Sequence, residues 1–217
     1  MEYIQLQNKG LLMFTEMLGF FITLFAVLNP LSSMIVFLSF TKNYSHHDQQ
    51  KIAILSSLSV LIILLVVTWV GVFLLNFFGI TASAFKMGGA LILLMFGLKL
   101  LGEKKLDTEN LSIGKINENI AVVPLAMPII AGPAAIATIV SFVTTHPGFM
   151  DHMVVSLVCI FITLLLFIIL FFAPYIVKVM GREGIKVFNK IMGMILMAMG
   201  MQMFVSGLRI LLPGLAH

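Results

Sequence analysis

The chain has 217 residues, of which 60% are hydrophobic and 10% charged, and its mean hydropathy is +1.13. Soluble globular domains carry about 25% charged residues, so this composition excludes a soluble protein and predicts an integral membrane protein. A membrane span needs about 20 apolar residues, and six such runs use up almost the whole chain, which excludes a soluble catalytic domain as well. The runs are 13–41, 52–77, 80–101, 119–143, 153–177 and 187–212.

The basic residues are distributed unevenly between the two ends of these runs. Ten of the 13 lie in or beside the loops that follow the first, third and fifth runs. Short loops rich in Lys and Arg stay in the cytoplasm, so we predict a multi-pass protein of the cytoplasmic (inner) cell membrane with both termini outside. The net charge of +4 then reflects topology, and the expected partner is the lipid bilayer, with no nucleic acid.

The first run contains a break near its centre, at Asn29-Pro30-Leu31-Ser32-Ser33. Pro30 has no amide hydrogen and its ring clashes with the carbonyl four residues earlier, so the run is predicted to form two half-helices. Asn29 is the expected cap of the second half, with Pro30 as its first residue. Exposed backbone polar groups occur at membrane depth only where they are buried in protein or line a cavity. The break is therefore a candidate binding site, and a kink sealed by neighbouring helices is the alternative.

The fourth run contains a second break. Three prolines within ten residues, Pro124, Pro128 and Pro133, make a regular helix implausible there. We expect an irregular or re-entrant segment up to Ala131, followed by a half-helix that starts at Pro133 and carries Thr138. The residues of this break are Ala131, Gly132, Pro133, Ala134 and Ala135.

The third run carries a lysine at each end. Only 12 residues separate Lys86 from Lys99, about 18 Å of helix, which is less than the ~30 Å hydrocarbon core. Lys86 is thus expected to enter the bundle for about one turn, either as a snorkelling anchor or at the outer mouth of a pathway. The adjacent glycines Gly88 and Gly89 allow close helix packing.

The sixth run has a face of small residues and two amides. Gly193, Gly200 and Gly207 recur every seven residues, which places them on one side of a helix. Gln202 and Asn189 are its amides, and Gln202 is a candidate for contact with a substrate.

The two breaks are related by an offset of about 103 residues, which places Pro30 on Pro133 and Asn29 on Gly132. Because each half has three runs, an odd number, the second half enters the membrane with the opposite orientation. The predicted fold is an all-α membrane protein with six transmembrane helices, arranged as two inverted three-helix repeats with broken helices 1 and 4. The repeats are residues 1–101 and 119–217, joined by a cytoplasmic linker loop at 102–118.

In this arrangement two half-helices start near the midplane and point their positive ends at one volume, which suits a small carboxylate. The candidate substrate-binding residues are Asn29, Pro30, Leu31, Ser32, Ser33, Ala131, Gly132, Pro133, Ala134, Ala135, Thr138 and Gln202. The candidate gate or pathway residues are Lys86, Gly88, Gly89, Pro124 and Pro128. The centre of the predicted membrane region holds no Asp, Glu or His, so no catalytic residue, metal site or enzyme activity is predicted.

The segments LNPLSS, FKMGG, IAVVPLAMPIIAGPAAIA and GREGIKVFNKIMGMILMAMGMQMFVSGL resemble the MarC family of six-span membrane proteins across nearly the whole chain. The resemblance implies a transporter of small neutral amino acids, such as glycine or alanine, for some members. Two departures bear on the size of the substrate: Ala134 stands where members often have glycine, and Gly88-Gly89-Ala90 where they often have Ala-Gly-Gly. The matching motif residues are Asn29, Pro30, Lys86, Pro124, Pro128, Gly132, Pro133 and Gln202.

The favoured interpretation is a secondary transporter of small neutral amino acids that works by alternating access. A channel for small neutral solutes or water and a non-transporting partner subunit are the alternatives. No cofactor is predicted. Coupling to Na+, coupling to H+ and plain exchange all stay open, as does a homo-oligomer.

Overall fold

The computed structural model describes residues 2–41, 44–102 and 131–211, and all regular secondary structure within these ranges is helical. The helices are α1 (Glu2–Leu28), α2 (Pro30–Thr41), α3 (His46–Phe77), α4 (Ala82–Leu101), α5 (Pro133–Thr145), α6 (Phe149–Phe171) and α7 (Ala173–Leu211).

Five stretches in these ranges are long and apolar enough to cross a membrane, the first of them formed by α1 and α2 together. They are Thr15–Leu38, His46–Phe77, Ala82–Leu101, Phe149–Phe171 and Glu183–Ile210. The shorter α5 is the half-helix predicted for the second part of the fourth run. The first part of that run, with Pro124 and Pro128, lies outside the described residues, as does nearly all of the predicted linker.

Two of the spanning helices begin at side-chain caps. Ser45 precedes α3 and its hydroxyl accepts a hydrogen bond from the Asp48 amide at 3.2 Å. Thr81 precedes α4 and accepts in the same way from the Ala84 amide at 3.3 Å. Such caps satisfy amides that have no partner inside the helix.

The predicted end of the fifth run, 153–177, lies beyond the end of the helix in the structure. The structure ends α6 at Phe171 and begins α7 at Ala173, so that Pro174 lies in the first turn of the next helix. Proline breaks a helix interior but is tolerated in a first turn, where the missing amide hydrogen would have no partner. Helix α7 then changes direction at Gly181, whose φ of 64° is a conformation that glycine adopts without strain.

The three glycines of α7 lie on one face, as the spacing of seven predicts, and this face packs against α4. A Cβ added to Gly193 would lie 3.0 Å from the carbonyl oxygen of Gly97, and one added to Gly200 would lie 3.2 Å from that of Ala90. A Cβ on Gly207 would come within 2.7 Å of Met87 Cγ. The predicted face of small residues is therefore confirmed. The structure adds that this face packs against α4, and the two backbones approach closely because these positions lack side chains.

The two half-helices pack in a crossed manner. Helix α2, from the first half of the chain, lies against α6 and α7 of the second half, whereas α5 lies against α3 and α4 of the first half. Helix α1 contacts α5, α6 and α7. The beginnings of α2 and α5 are consequently inside the bundle and not at its surface.

Candidate functional site

The first break is an interruption of one residue between α1 and α2. Asn29 has a φ of 40°, a left-handed conformation that asparagine tolerates better than most residues. Its amide still donates to the Phe25 carbonyl at 3.0 Å, and its own carbonyl accepts from the Ser33 amide at 3.0 Å. Pro30 has no hydrogen to donate to Ala26, so the ladder of α1 stops here. The predicted division into two half-helices is confirmed.

The side chain of Asn29 caps α2 and carries a donor without a partner in the described ranges. Its Oδ1 accepts from the Ser32 amide at 3.4 Å. The residue is only 1% exposed, yet its Nδ2 has no hydrogen-bond partner among the residues that the structure describes. A buried donor without a partner costs free energy. The amide is therefore suited to bind a ligand group that brings an acceptor into the interior.

The serines of the first turn of α2 are held by hydrogen bonds. Ser33 donates from Oγ to the Leu28 carbonyl at 3.0 Å, which fixes the geometry across the break. Ser32 donates from Oγ to Oδ1 of Asn189 on α7, also at 3.0 Å. The break is thus tied to the other half of the chain through Asn189. Leu31 and Pro30 are buried beside these residues.

The second break presents a helix start without a side-chain cap. Gly132 precedes α5 in an extended conformation and, having no side chain, leaves the capping position empty. Its carbonyl accepts the Ala135 amide at 2.9 Å and the Ile136 amide at 3.3 Å. Ala134 and Ala135 are buried. The positive end of this helix therefore lies inside the protein, surrounded by small side chains.

Ala131 and Thr138 complete the described part of this break. Both are buried. The Thr138 hydroxyl donates to the Ala134 carbonyl at 2.8 Å, one turn back along α5. This hydroxyl can still accept a hydrogen bond with its remaining lone pairs.

Contacts between α1 and α5 place the two breaks at the same depth. Glu16 Oε2 lies 3.2 Å from His146 Nε2, and the rings of Phe20 and Phe142 are 4.4 Å apart. Moving forward along α1 thus means moving backward along α5, so the helices are antiparallel. Asn29 is 13 residues after Glu16 and Gly132 is 14 residues before His146, a distance of about 20 Å along each helix. Both breaks are therefore buried at one level of neighbouring helices.

Lys86 and Gly89 connect α4 to its neighbours, as predicted for a residue that enters the bundle and a residue that allows close approach. Lys86 is half-buried and donates from Nζ to the Ser206 hydroxyl at 2.9 Å. A Cβ on Gly89 would lie 2.6 Å from the Cβ of Ala137, so the backbone of α4 lies directly against α5.

Two predicted site residues face away from the breaks. Gly88 is exposed, and a Cβ added to it would meet nothing in the described ranges within 4 Å. Close approach is therefore confirmed for Gly89 and not for Gly88, because successive helix positions point about 100° apart. Gln202 is also exposed. It follows Gly200, which faces α4, by two positions, or about 200° around α7, so it does not join the site.

Asn189, the other amide of the sixth run, reaches the first break through its hydrogen bond to Ser32 and was not among the predicted site residues. It follows Lys86 by 103 residues, which is the offset between the two breaks. That coincidence is the signal that could have identified it. Within the described ranges, no group of three His, Cys, Asp or Glu side chains could hold a metal ion.

Comparison with known proteins identifies the family. A family model described as "MarC family integral membrane protein" matches residues 14–212. The chain belongs to the MarC family. The UPF0056 membrane protein YhcE of Escherichia coli is 35% identical, over 91% of this chain and 94% of the relative. A UPF0056 membrane protein of Pyrococcus horikoshii is also 35% identical, over 86% and 90%. The UPF0056 membrane protein BU267 of Buchnera aphidicola is 33% identical, over 91% and 94%. No solved structure matches the chain.

Proposed function

We propose that this MarC-family protein is a secondary transporter of small neutral amino acids, glycine or alanine in size, and that the substrate binds where the two breaks meet. One observation carries the proposal. The buried Nδ2 of Asn29 has no partner among the described residues and lies at the start of one half-helix, at the depth where a second, uncapped half-helix begins. A carboxylate would accept from Asn29 and from amides at the positive helix ends.

The charge and size of the surrounding residues favour a small zwitterion. None of the residues at the breaks is ionised, so a ligand with a net charge would have no counter-ion at this depth, where unpaired charge is costly. A zwitterion brings a carboxylate for the helix ends and carries no net charge. Ala131, Ala134 and Ala135 are buried alongside, and their small side chains suit a ligand with a short side chain.

Alternating access would follow from the inverted repeat, which is part of the proposal. With the offset of 103 residues, Gly97 corresponds to Gly200 and Ala90 corresponds to Gly193. If the two halves are equivalent, the contact of Gly97 with Gly193 must have a counterpart between Gly200 and Ala90. The structure has this second contact as well. Such reciprocity is expected of two units related by a two-fold axis. The beginnings of α3 and α6 are also 103 residues apart.

The crossed packing of the half-helices supports movement of one repeat against the other. Helix α2 lies against α6 and α7, and α5 lies against α3 and α4. If the repeats rock against each other, α2 would therefore move with the helices of the second half of the chain, and α5 with those of the first half. The proposal retains six spans, an inner cell membrane location with both termini outside, and coupling to Na+ or H+ or plain exchange.

Counterflow in proteoliposomes tests the proposal. Vesicles that contain purified protein and are loaded with unlabelled alanine should accumulate external radiolabelled alanine with saturable kinetics. Asn29→Leu should abolish this accumulation, whereas Asn76→Leu, the same substitution at an exposed position on α3, should retain it. Flux that rises linearly with concentration and shows no counterflow would contradict a transporter and support a channel instead.

A further inference from the structure

A column of side chains lies between α1 and α5 on the membrane side where α1 begins, called the α1 side below. Phe20 and Phe142 have ring centroids 4.4 Å apart, and the Phe142 ring stacks on the His146 ring at 4.5 Å with an interplanar angle of 16°. His146 Nε2 in turn lies 3.2 Å from Glu16 Oε2. Aromatic side chains and the Glu16–His146 contact therefore fill the space between α1 and α5 from Phe20 outward.

The Glu16–His146 contact differs from the ion pair of Lys186 with Glu183. Lys186 and Glu183 are 2.6 Å apart but belong to one turn of α7, and both are largely exposed. Glu16 and His146 come from different helices, α1 and α5, which are the elements that carry the two breaks. His146 is 27% exposed and Glu16 is 55% exposed, so the pair lies at the edge of the bundle and the aromatic rings lie beneath it.

The surrounding polar groups have other partners. Asp151, at the start of α6, accepts from the Gly148 amide at 3.2 Å. His152 lies 2.9 Å from the Gly148 carbonyl and contacts the Trp69 ring. Among these groups, His146 is the one that lies within hydrogen-bond distance of Glu16.

We infer that Glu16, Phe20, Phe142 and His146 form a gate that closes the pathway on the α1 side, with the Glu16–His146 contact as its latch. The inference rests on the proposed function, because a gate implies a pathway. A ligand moving between the breaks and the α1 side along α1 and α5 can pass only if these helices separate. That movement pulls Phe20 from Phe142 and Glu16 from His146.

The accessibility of a residue beneath the gate measures its opening without any substrate. Thr138 lies four residues before Phe142 on the same face of α5 and is 6% exposed. In a Cys159→Ala background, which removes the single native cysteine, Thr138→Cys provides the reporter. The labelling rate by a polar maleimide is measured in lipid nanodiscs, where both membrane sides are open to the reagent.

With the latch intact, labelling of the reporter should be slow. Glu16→Gln and His146→Gln should each raise its rate by roughly three- to tenfold, because the two helices separate more often. The exchange Glu16→His with His146→Glu restores the pair in reverse and should return the rate to near that of the parent. Glu183→Gln is the matched control, because it removes an ion pair that lies within one helix. It should leave the labelling rate unchanged.

Two results would overturn the gate. One is a labelling rate unchanged by both Glu16→Gln and His146→Gln, and the other is an equal rise in Glu183→Gln, which would mean general loosening. The exchanged pair also controls for folding, because a protein damaged by either substitution would not recover the parent rate. Counterflow fails in the wild type if the proposed function is wrong, whereas the labelling result is independent of any substrate.

Discussion

Gly97 and Gly193 meet across the interface of α4 and α7, where the position of the missing Cβ of each lies 3.0 Å from the carbonyl oxygen of the other. Neither helix can carry a larger residue at this point without a shift of its partner, because the neighbouring atom is backbone. The contact recurs with Gly200 and Ala90 further along the same pair of helices. The packing of α4 against α7 thus depends on the absence of side chains.

Gly97→Val should destabilise the protein through this interface. The added Cβ would lie 2.9 Å from Met197 Cγ as well as 3.0 Å from the Gly193 oxygen, and overpacking of this kind costs about 1–3 kcal/mol. The free energy of unfolding in mixed detergent micelles measures the effect. Gly88→Val is the matched control, since Gly88 lies nine residues earlier on α4 and faces open space. An equal loss of unfolding free energy in both variants would indicate an effect of valine on helix propensity and would contradict the packing argument.

The breaks could be predicted from the sequence because their cause is local. Pro30 and Pro133 lack an amide hydrogen wherever the rest of the chain lies, and a glycine every seven residues falls on one face of any helix. The rotation of a helix about its axis is set by its neighbours instead. For that reason the sequence did not reveal that Gly89, and not Gly88, meets α5, or that Gln202 faces outward. The pairing of Glu16 with His146 likewise depends on the relative depth of two helices.

Asn29→Gly should separate the two roles of Asn29. Glycine adopts a positive φ more readily than asparagine, so the break should keep its geometry while the amide is lost. The unligated protein should unfold within a few degrees of the wild type. Removal of Nδ2, a buried donor without a partner among the described residues, relieves a cost of about 1–3 kcal/mol, which offsets the flexibility of glycine and the loss of the weak cap on the Ser32 amide.

Ligand-dependent stabilisation should disappear in the same variant. For the wild type, alanine at 100 times its Kd should stabilise the folded state by about 2.7 kcal/mol, visible as a shift of Tm in a thermal-unfolding assay. Asn29→Gly should show no such shift at that concentration. An undiminished shift would mean that the Nδ2 group does not contact the ligand.

Ser32 and Asn189 should be energetically coupled, because their hydrogen bond at 3.0 Å joins the first turn of α2 to α7. A double-mutant cycle with Ser32→Ala and Asn189→Ala isolates the interaction from the separate effects of the two substitutions. Side-chain hydrogen bonds between membrane helices average about 0.6 kcal/mol and reach about 1.7 kcal/mol, so the coupling in unfolding free energy should fall between these values. Ser59 provides the control for loss of a hydroxyl, since it bonds only within α3, to the Leu55 carbonyl at 2.8 Å. A cycle of Ser59→Ala with Asn189→Ala should give no coupling. Additive effects of Ser32→Ala and Asn189→Ala would show that α2 is held against α7 by apolar packing alone.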